Sequence, residues 1–431
     1  MNVPKLRFKG FQDAWEVHKF SEKFTFHNTN SYSRALLAEQ GSIMNIHYGD
    51  IHTKFSALFD VAKEDVPFLS CKVDTQKIAT NQFLQVKDLI IADASEDYKD
   101  IGKTIEVVNL NNQKAVAGLH TYIARPNSPS ALGFNSYLMQ TFKVREQIQK
   151  LATGISVLGI SKGNLGNVEL NIPCLQEQTK IASFLSAVDD KIAALRQEHD
   201  LWQQYKQGMM QQLFSQKLRF QDDNGQDFPD WKTTIFSEKF TFHQTNSYSR
   251  ALLSEQGEIM NIHYGDIHTK FSSLFDATKE KVPFLSAEVE ISKLDEERFL
   301  RVGDLVIADA SEDYKDIGKT IEIVNLGNQK LVAGLHTYIA RPKQDFALGF
   351  HGYLMQTLAV RAQIQKLATG ISVLGISKTN LGKVEIKIPT LAEQTKIAAC
   401  LSSIDAKIDA LAQQLEQARV WKQGLLQQMF V

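Results

Sequence analysis

Apolar residues recur along two stretches of this chain at alternating steps of three and four. The first stripe is Ile181, Leu185, Val188, Ile192, Leu195, Trp202, Met209 and Leu213. The second is Ile397, Leu401, Ile404, Ile408, Leu411, Leu415, Leu425 and Met429. This spacing puts one narrow seam on an α-helix. Each seam lasts about five heptads, which predicts a helix roughly 50 Å long at ~1.5 Å per residue. A helix of that length has no reason to stay ordered with its seam in water, and each seam is the natural cover of the other. His199 interrupts the first stripe where Leu415 stands in the second. It reads as a tolerated mid-helix position.

Between the stripes the pattern shortens. Lys87–Ala92, Thr104–Val108 and Ala115–Ile123 are rich in β-branched and aromatic residues and predict strands. Polar stretches at Asn28–Arg34, His47–Lys54, Ser95–Lys103 and Asn111–Lys114 predict loops. A helix is expected over Phe134–Thr153, giving way at Gly154, then a last strand over Asn164–Ile172. Pro173 marks the turn into the long helix, where Glu177 suits the positive end of the helix dipole.

All of this occurs twice. Residues 20–195 align without a gap to residues 236–411, and 132 of the 176 positions are identical. The preface is repeated too: Leu6-Arg7-Phe8 leading to Trp15 returns as Leu218-Arg219-Phe220 leading to Trp231, with four extra residues. Joining the chain's end to its start would restore the same unit order. The expected domains are residues 1–173, a spacer helix at 174–216, residues 217–389, and a second spacer helix at 390–431. Domain two follows directly from the end of helix one, and helix two must pack back along helix one to bury its seam. The expected fold class is therefore α+β: two mixed α/β domains separated by two long antiparallel helices forming a coiled-coil rod, a pseudo-two-fold dumbbell.

Composition narrows this little. At 431 residues and 43% hydrophobic content the chain can build several cores. It has no apolar run long enough for a membrane helix and no secretory signature at its start. Cys71, Cys174 and Cys400 face Ala287, Thr390 and Phe184 in the other copy. That argues against a repeated disulfide framework or a cysteine-based zinc site and suits the cytoplasm. The formal charge of −1 is neutral towards any partner, whereas a nucleic-acid binder usually carries a basic balance.

Catalytic motifs are thin. Gly102-Lys103-Thr104 and Gly318-Lys319-Thr320 imitate the end of a phosphate-binding loop, but Asp97 and Asp313 stand where its first glycine belongs. Gly154–Ser161 has two glycines but Ile160 in place of the lysine. His47, His52 and His120, repeated as His263, His268 and His336, fit no metal-ligand spacing and read as polar strand-edge residues. No metal and no catalytic residue is assigned. The polar loops say more. Asn30, Ser31, Tyr32, Ser33 and Arg34 return unchanged as Asn246, Ser247, Tyr248, Ser249 and Arg250. His47, Tyr48 and Lys54 return as His263, Tyr264 and Lys270, and Ser95, Glu96, Asp97, Tyr98 and Lys99 as Ser311, Glu312, Asp313, Tyr314 and Lys315. The equally polar Cys71–Gln82 keeps only two of twelve positions. Identity in such loops points to two equal ligands; a recent duplication with incomplete drift would leave the same trace. Their side chains suit base edges and phosphates, and other partners as well.

One stretch resembles a known family. Gly154-Ile155-Ser156-Val157-Leu158-Gly159-Ile160-Ser161, then Ile172-Pro173, Leu175, Glu177-Gln178, Ile181-Ala182, Leu185, Asp189 and Ile192, is similar to the signature of specificity subunits of type I restriction–modification systems. In these a target-recognition domain ends in an IP-x-L-x-EQ-x-x-IA entry to a long helix. It recurs as Ile388-Pro389-Thr390-Leu391-Ala392-Glu393-Gln394-Thr395-Lys396-Ile397-Ala398, and the family's order of domains and helices covers essentially the whole chain. The resemblance implies a non-catalytic subunit for host defence. Each target-recognition domain would enter the major groove of one half of a bipartite double-stranded DNA site, with the helices setting the spacer. Two modification (methyltransferase) subunits, carrying S-adenosylmethionine, and two restriction (ATP-dependent translocase/nuclease) subunits would assemble on it. No cofactor is expected on this chain itself. Family members usually carry two dissimilar domains, whereas these are near-identical, which predicts a near-palindromic target.

Two other readings are weighed. An enzyme with its own methyl transfer would need a paired-proline, aromatic motif; Pro67-Phe68, Pro283-Phe284 and Pro229-Asp230 lack the second proline. A non-DNA scaffold tethering two identical ligands would show no DNA shift with or without modification subunits.

Overall fold

The computed structural model describes residues 3–290 and 294–431. The chain divides into two units, Met1–Gln197 with Ala412–Val431, and Glu198–Leu411. The first long helix runs Leu175–Phe214 and the second Leu391–Gln428. At 40 residues the first is about 60 Å long, somewhat more than its seam alone predicts. Each unit contains one α/β domain, the start of its own long helix and the last part of the other.

In the first unit a five-stranded sheet has the order Phe24–His27, Thr121–Pro126, Leu89–Ala92, Thr104–Asn109, Leu58–Asp60, antiparallel except for the last pair. A four-stranded sheet has the order Lys114–Ala117, Ile43–Ile46, Phe68–Leu69, Leu37–Ala38. The strand Leu89–Ala92 is apolar at every position because both of its faces are buried. Ile90 and Ala92 join Ile46, Phe59, Ile105 and Ile123 in one core. Leu89 and Ile91 join Phe20, Phe134 and Tyr137 in a second core, which takes in Ile181, Leu185 and Val188 of the first long helix, Leu425 of the second, and Met429 and Phe430 just past its end. The second unit repeats both sheets and their registers. There Ile397, Leu401 and Ile404 are buried with Leu213, and Trp202 and Ile408 pack against that core half-buried. Leu195, Leu411 and Leu415 are buried as well, while Ile192 packs half-buried in the first unit.

Several predicted boundaries are corrected. Ala115–Ile123 is two strands in different sheets, because His120 takes a left-handed turn (φ 55°) after Gly118. Phe134–Thr153 is two helices, Phe134–Gln140 and Phe142–Leu151, split where Thr141 becomes extended (ψ 148°). Asn164–Ile172 is a short helix, Lys162–Gly166, followed by the strand Glu169–Ile172. His47–Lys54 is a helix over Tyr48–Thr53, not a loop, capped by His47 Nδ1 accepting from Gly49 N.

The motif opening each long helix is a clamp. Glu177 is buried and accepts two bonds from Arg7 of the preface, at 2.7 and 2.8 Å, so it does more than favour the helix dipole. Gln178 accepts from Ala131 N and donates to Pro173 O. In the second unit Glu393 binds Arg219 twice, at 3.0 and 2.9 Å, and Trp231 Nε1, while Gln394 bridges Ala347 N and Pro389 O. Farther along the first helix, Tyr137 donates to Asp189 (2.8 Å), and Lys422 of the second helix pairs with the same carboxylate. Tyr353, Asp405 and Lys206 repeat this in the second unit. The two helices run antiparallel within each unit. In the first, Leu6 N bonds Gln428 O at the end of helix two, and Arg7 bonds Glu177 at the start of helix one. In the second, Leu218 N and Arg219 reach Gln212 O and Glu393 in the same way.

A buried carboxylate also holds the first helix after the sheet. Glu106 accepts from Gly133 N (2.7 Å) and Ser136 N (2.9 Å), and burial pushes its pKa up to about 7; Glu322 does the same with Gly349 and Gly352. The copies part between these two bonds. Asn135 becomes His351, enclosed by Phe240 and Phe346, and its burial lowers its pKa to about 3.

Two stability outcomes follow. Arg7→Ala leaves Glu177 buried and unpaired and is expected to cost about 3–5 kcal/mol in chemical denaturation of the full chain, with part of the loss recovered by adding Glu177→Gln. His351 binds its proton more weakly folded than unfolded, so its neutral burial stabilises the chain above its unfolded value of 6.5, and that contribution falls as pH drops towards 3. At about pH 5 roughly 2 kcal/mol is lost. His351→Asn should remove this loss, raising the unfolding midpoint at about pH 5 relative to that at about pH 7.5, compared with the same difference in the parent chain. An unchanged difference would mean that His351 does not titrate as its burial requires.

Candidate nucleic-acid interface

The loop Asn28–Ser33 and the helix Tyr48–Thr53 owe their shapes to polar residues that face inward. Asn30 Nδ2 donates to Asn45 Oδ1 (2.8 Å) while its own Oδ1 accepts from Tyr32 N (3.1 Å), a turn that leaves Ser31 and Ser33 exposed. Tyr32 packs against the apolar cluster of Ile43, Leu69 and Val116. Asp50 is buried at the start of its helix and binds Arg34 (3.0 Å), with Lys54 at 3.7 Å. In the second unit Arg250 and Lys270 hold Asp266 at 3.1 and 2.8 Å. Burial raises that carboxyl's pKa, but the bonds from Lys270 and Arg250 outweigh it and hold it below the ordinary value. Arg34 and Lys54 are thus fixed at their inner ends and remain more than half exposed.

The histidines are engaged locally. His47 is buried as a helix cap, and burial, then the charge of Arg34, lower its pKa against the opposing pull of Asp50. It remains neutral, with its ring 4.6 Å from that of Tyr48. Tyr48 also meets His52 (5.9 Å) and His120 (5.4 Å). His52 Nε2 donates to Ala94 O (3.1 Å), and His120 Nδ1 lies 3.3 Å from Asp93. The second unit repeats each contact. Among the described residues no group of histidine, cysteine and carboxylate side chains could hold a metal ion.

The third loop is held from behind. Ser95 is buried and its hydroxyl accepts from Asp97 N, whose side chain accepts from Lys99 N. Arg145 donates to Lys99 O and Ile101 O, and Gln149 to Tyr98 O. Glu96, Asp97, Tyr98 and Lys99 are left pointing to solvent, as are Glu312, Asp313, Tyr314 and Lys315 in the second unit.

These segments adjoin through Ala94, which sits between His52 and Ser95, and through the ring contact of Tyr48 with His120. Beside His120 lies an open cleft of about 550 Å3, walled by the Asn28–Tyr32 loop on one side and Gln82 on another, with Tyr122 and Lys162 also lining it. Lys162 Nζ stands 5.3 Å from the ring centre of Tyr122, whose hydroxyl donates to Ile160 O. Arg34, Lys54, Tyr48, Lys99 and the amides and hydroxyls of the cleft offer mainly donors and aromatic faces, with no nucleophile–base pair among them. Such groups bind phosphates and base edges. His120, Tyr122, Lys162 and Gln82 are not among the sequence candidates. The identity of the first three across the copies is visible in the sequence, but it falls within longer identical runs that do not set them apart.

A family model for the type I restriction modification DNA specificity domain matches residues 13–201 and 253–419. The specificity subunit of the type I restriction enzyme MjaVIII of Methanocaldococcus jannaschii is 25% identical over 303 residues, 67% of this chain and 68% of that one. Another protein of that organism, named for the MjaX specificity subunit, is 22% identical over 379 residues, 82% of each chain. Among solved structures, the S subunit of a type I restriction-modification system from M. genitalium matches 100% of this chain and 99% of that one, at TM-score 0.56 and 14% identity. A chain from a structural study of complex assembly in the type I system matches 96% of each, at TM-score 0.54 and 16% identity. These likenesses show the same fold.

Proposed function

This chain belongs to the type I restriction modification DNA specificity family, whose members are non-catalytic subunits that recognise DNA sequence, and from that premise we propose that it reads a bipartite, near-palindromic double-stranded site. Residues 1–173 would read one half and 217–389 the other, with 174–216 and 390–431 as the spacer helices. Two methyltransferase subunits, which bring S-adenosylmethionine, and two ATP-dependent restriction subunits would assemble on the chain in the cytoplasm. No helix among the described residues is long and apolar enough to cross a membrane.

The observation that carries this reading is the repetition of solvent-facing polar groups with the same internal support. Arg34 and Arg250 are each held at one end by a buried aspartate, and Ser31, Ser33 and Glu96–Lys99 recur unchanged on the surface. Core residues recur because packing requires it. Exposed residues have no such reason, and a shared ligand supplies one.

The first expected outcome is a gapped motif with near-identical, inverted halves, read by single-molecule sequencing of N6-methyladenine in DNA from cells co-expressing this chain with its modification subunit. Unrelated halves would discard the symmetry, and a complex that neither shifts DNA nor methylates it would favour tethering of a non-DNA ligand. The second concerns Arg34→Ala with Arg250→Ala, which removes two phosphate-reaching cations. Binding of the assembled complex should weaken about equally across cognate and non-cognate DNA, and the slope of its salt dependence should fall by about 1 for each phosphate left without its arginine. A selective loss on cognate DNA would make these residues base readers instead.

A further inference from the structure

The residues that line the cleft beside His120 are almost the same in the second copy's sequence, and the polar differences fall together. Of its fourteen lining residues, eleven are identical at the matched positions. The two polar exceptions are Asn28, replaced by Gln244, and Gln82, replaced by Arg298. These replacements meet: Arg298 Nη2 donates to Gln244 Oε1 at 3.3 Å. In the first copy Gln82 Oε1 instead accepts from Ala79 N within its own short turn. The wall around this position changes character as well. Ala79-Thr80-Asn81-Gln82 carries no charge, whereas Asp295-Glu296-Glu297-Arg298 carries three carboxylates and a guanidinium. Two of the three acids are engaged with neighbours, and Glu296 is exposed. Asp295 lies 3.7 Å from Arg298, and Glu297 pairs with His243 (2.7 Å) and Arg341 (3.3 Å). Arg298 is therefore braced from two sides while about a quarter of its side chain remains exposed.

Base-edge chemistry gives this difference a meaning. A guanidinium presents a planar fork that matches the two acceptors of guanine in the major groove, whereas an amide matches the donor–acceptor pair of adenine. We infer that the two half-sites share most bases but differ at one pair, where the second domain selects a guanine through Arg298, oriented by Gln244, and the first domain, with Asn28 and Gln82, does not. This rests on the DNA reading proposed above and deepens it by naming the residues that break the symmetry.

The test exchanges the pair in both directions in the assembled methyltransferase complex: Gln244→Asn with Arg298→Gln, and separately Asn28→Gln with Gln82→Arg. In the parent chain the methylated motif should be an inverted repeat except for one G·C pair present in one half. The first exchange should remove the preference from the one half that has it, leaving neither half with it, and the second should confer it on the other half. In binding competition, discrimination against DNA lacking that pair should change by about 5- to 150-fold, the range of one bidentate contact. Both exchanges alter partly or fully exposed side chains, and the second adds a function rather than removing one, so misfolding cannot imitate its success. A perfectly symmetric parental motif, or exchanges that leave the motif unchanged, overturn the inference while the DNA reading stands. The absence of any motif or DNA shift in the parental complex overturns both.

Discussion

A carboxylate buried in the first turn of each long helix constrains the rest of its unit. Glu177 has lost its water and must be matched by a cation with suitable geometry, and Arg7 supplies both bonds. The preface therefore has to fold back to the helix start. Beside it, Gln178 joins that helix start to the segment just before the helix Phe134–Gln140. Tyr137, from that same helix, donates its hydroxyl hydrogen bond to Asp189, and Lys422 closes the triad from the second long helix. Each step links segments far apart in sequence through a polar group with little or no water around it. Apolar seams alone allow helices to slide by a turn with modest loss. Buried bonds of this kind permit one register and so fix where each candidate surface stands relative to its own part of the helices.

How much of this is legible in the sequence depends on which force shapes each segment. The stripes Ile181–Leu213 and Ile397–Met429 announce two helices because packing imposes a period, and Leu89–Ala92 announces a strand buried on both faces. The break at Thr141 is hidden because apolar residues continue at helical spacing across it, with Tyr137, Val144 and Ile148 all buried. The break at His120 is hidden by the apolar residues on either side, and nothing in the sequence marks a histidine that will take a positive φ. Tyr48–Thr53 reads as a loop because its polar residues suggest solvent. In fact His47 caps the helix and Asp50 is buried under Arg34 and Lys54. The candidate site divides on the same ground. Asn30, His47 and Ser95 serve mainly as supports for the surface, and Ser31, Ser33, Arg34, Lys54 and Glu96–Lys99 are the surface itself. Sequence identity marks both roles equally, and burial separates them.

The duplication supplies an internal control for that separation. Buried polar groups such as Glu106 and Glu322, Asp50 and Asp266, or Gln178 and Gln394 are retained in both copies with the same partners. Any chain that folds this way would retain them, whatever it bound. At one buried polar residue that did change, the surroundings changed with it: His351 replaces Asn135 as Phe346 replaces Ser130, and the two new rings meet at 4.0 Å. Such a pair reports repacking and carries no information about a ligand. What remains is exposed and polar, and there both persistence and change require a cause outside the core. Persistence at Ser31, Ser33 and Arg34 argues for a ligand feature common to the two halves. Paired change at Gln244 and Arg298, on the rim of a cleft whose one other change is the apolar exchange of Ile78 for Leu294, argues for a feature the halves do not share. A surface drifting without constraint would scatter its changes, whereas here the two polar ones lie within hydrogen-bonding distance of each other.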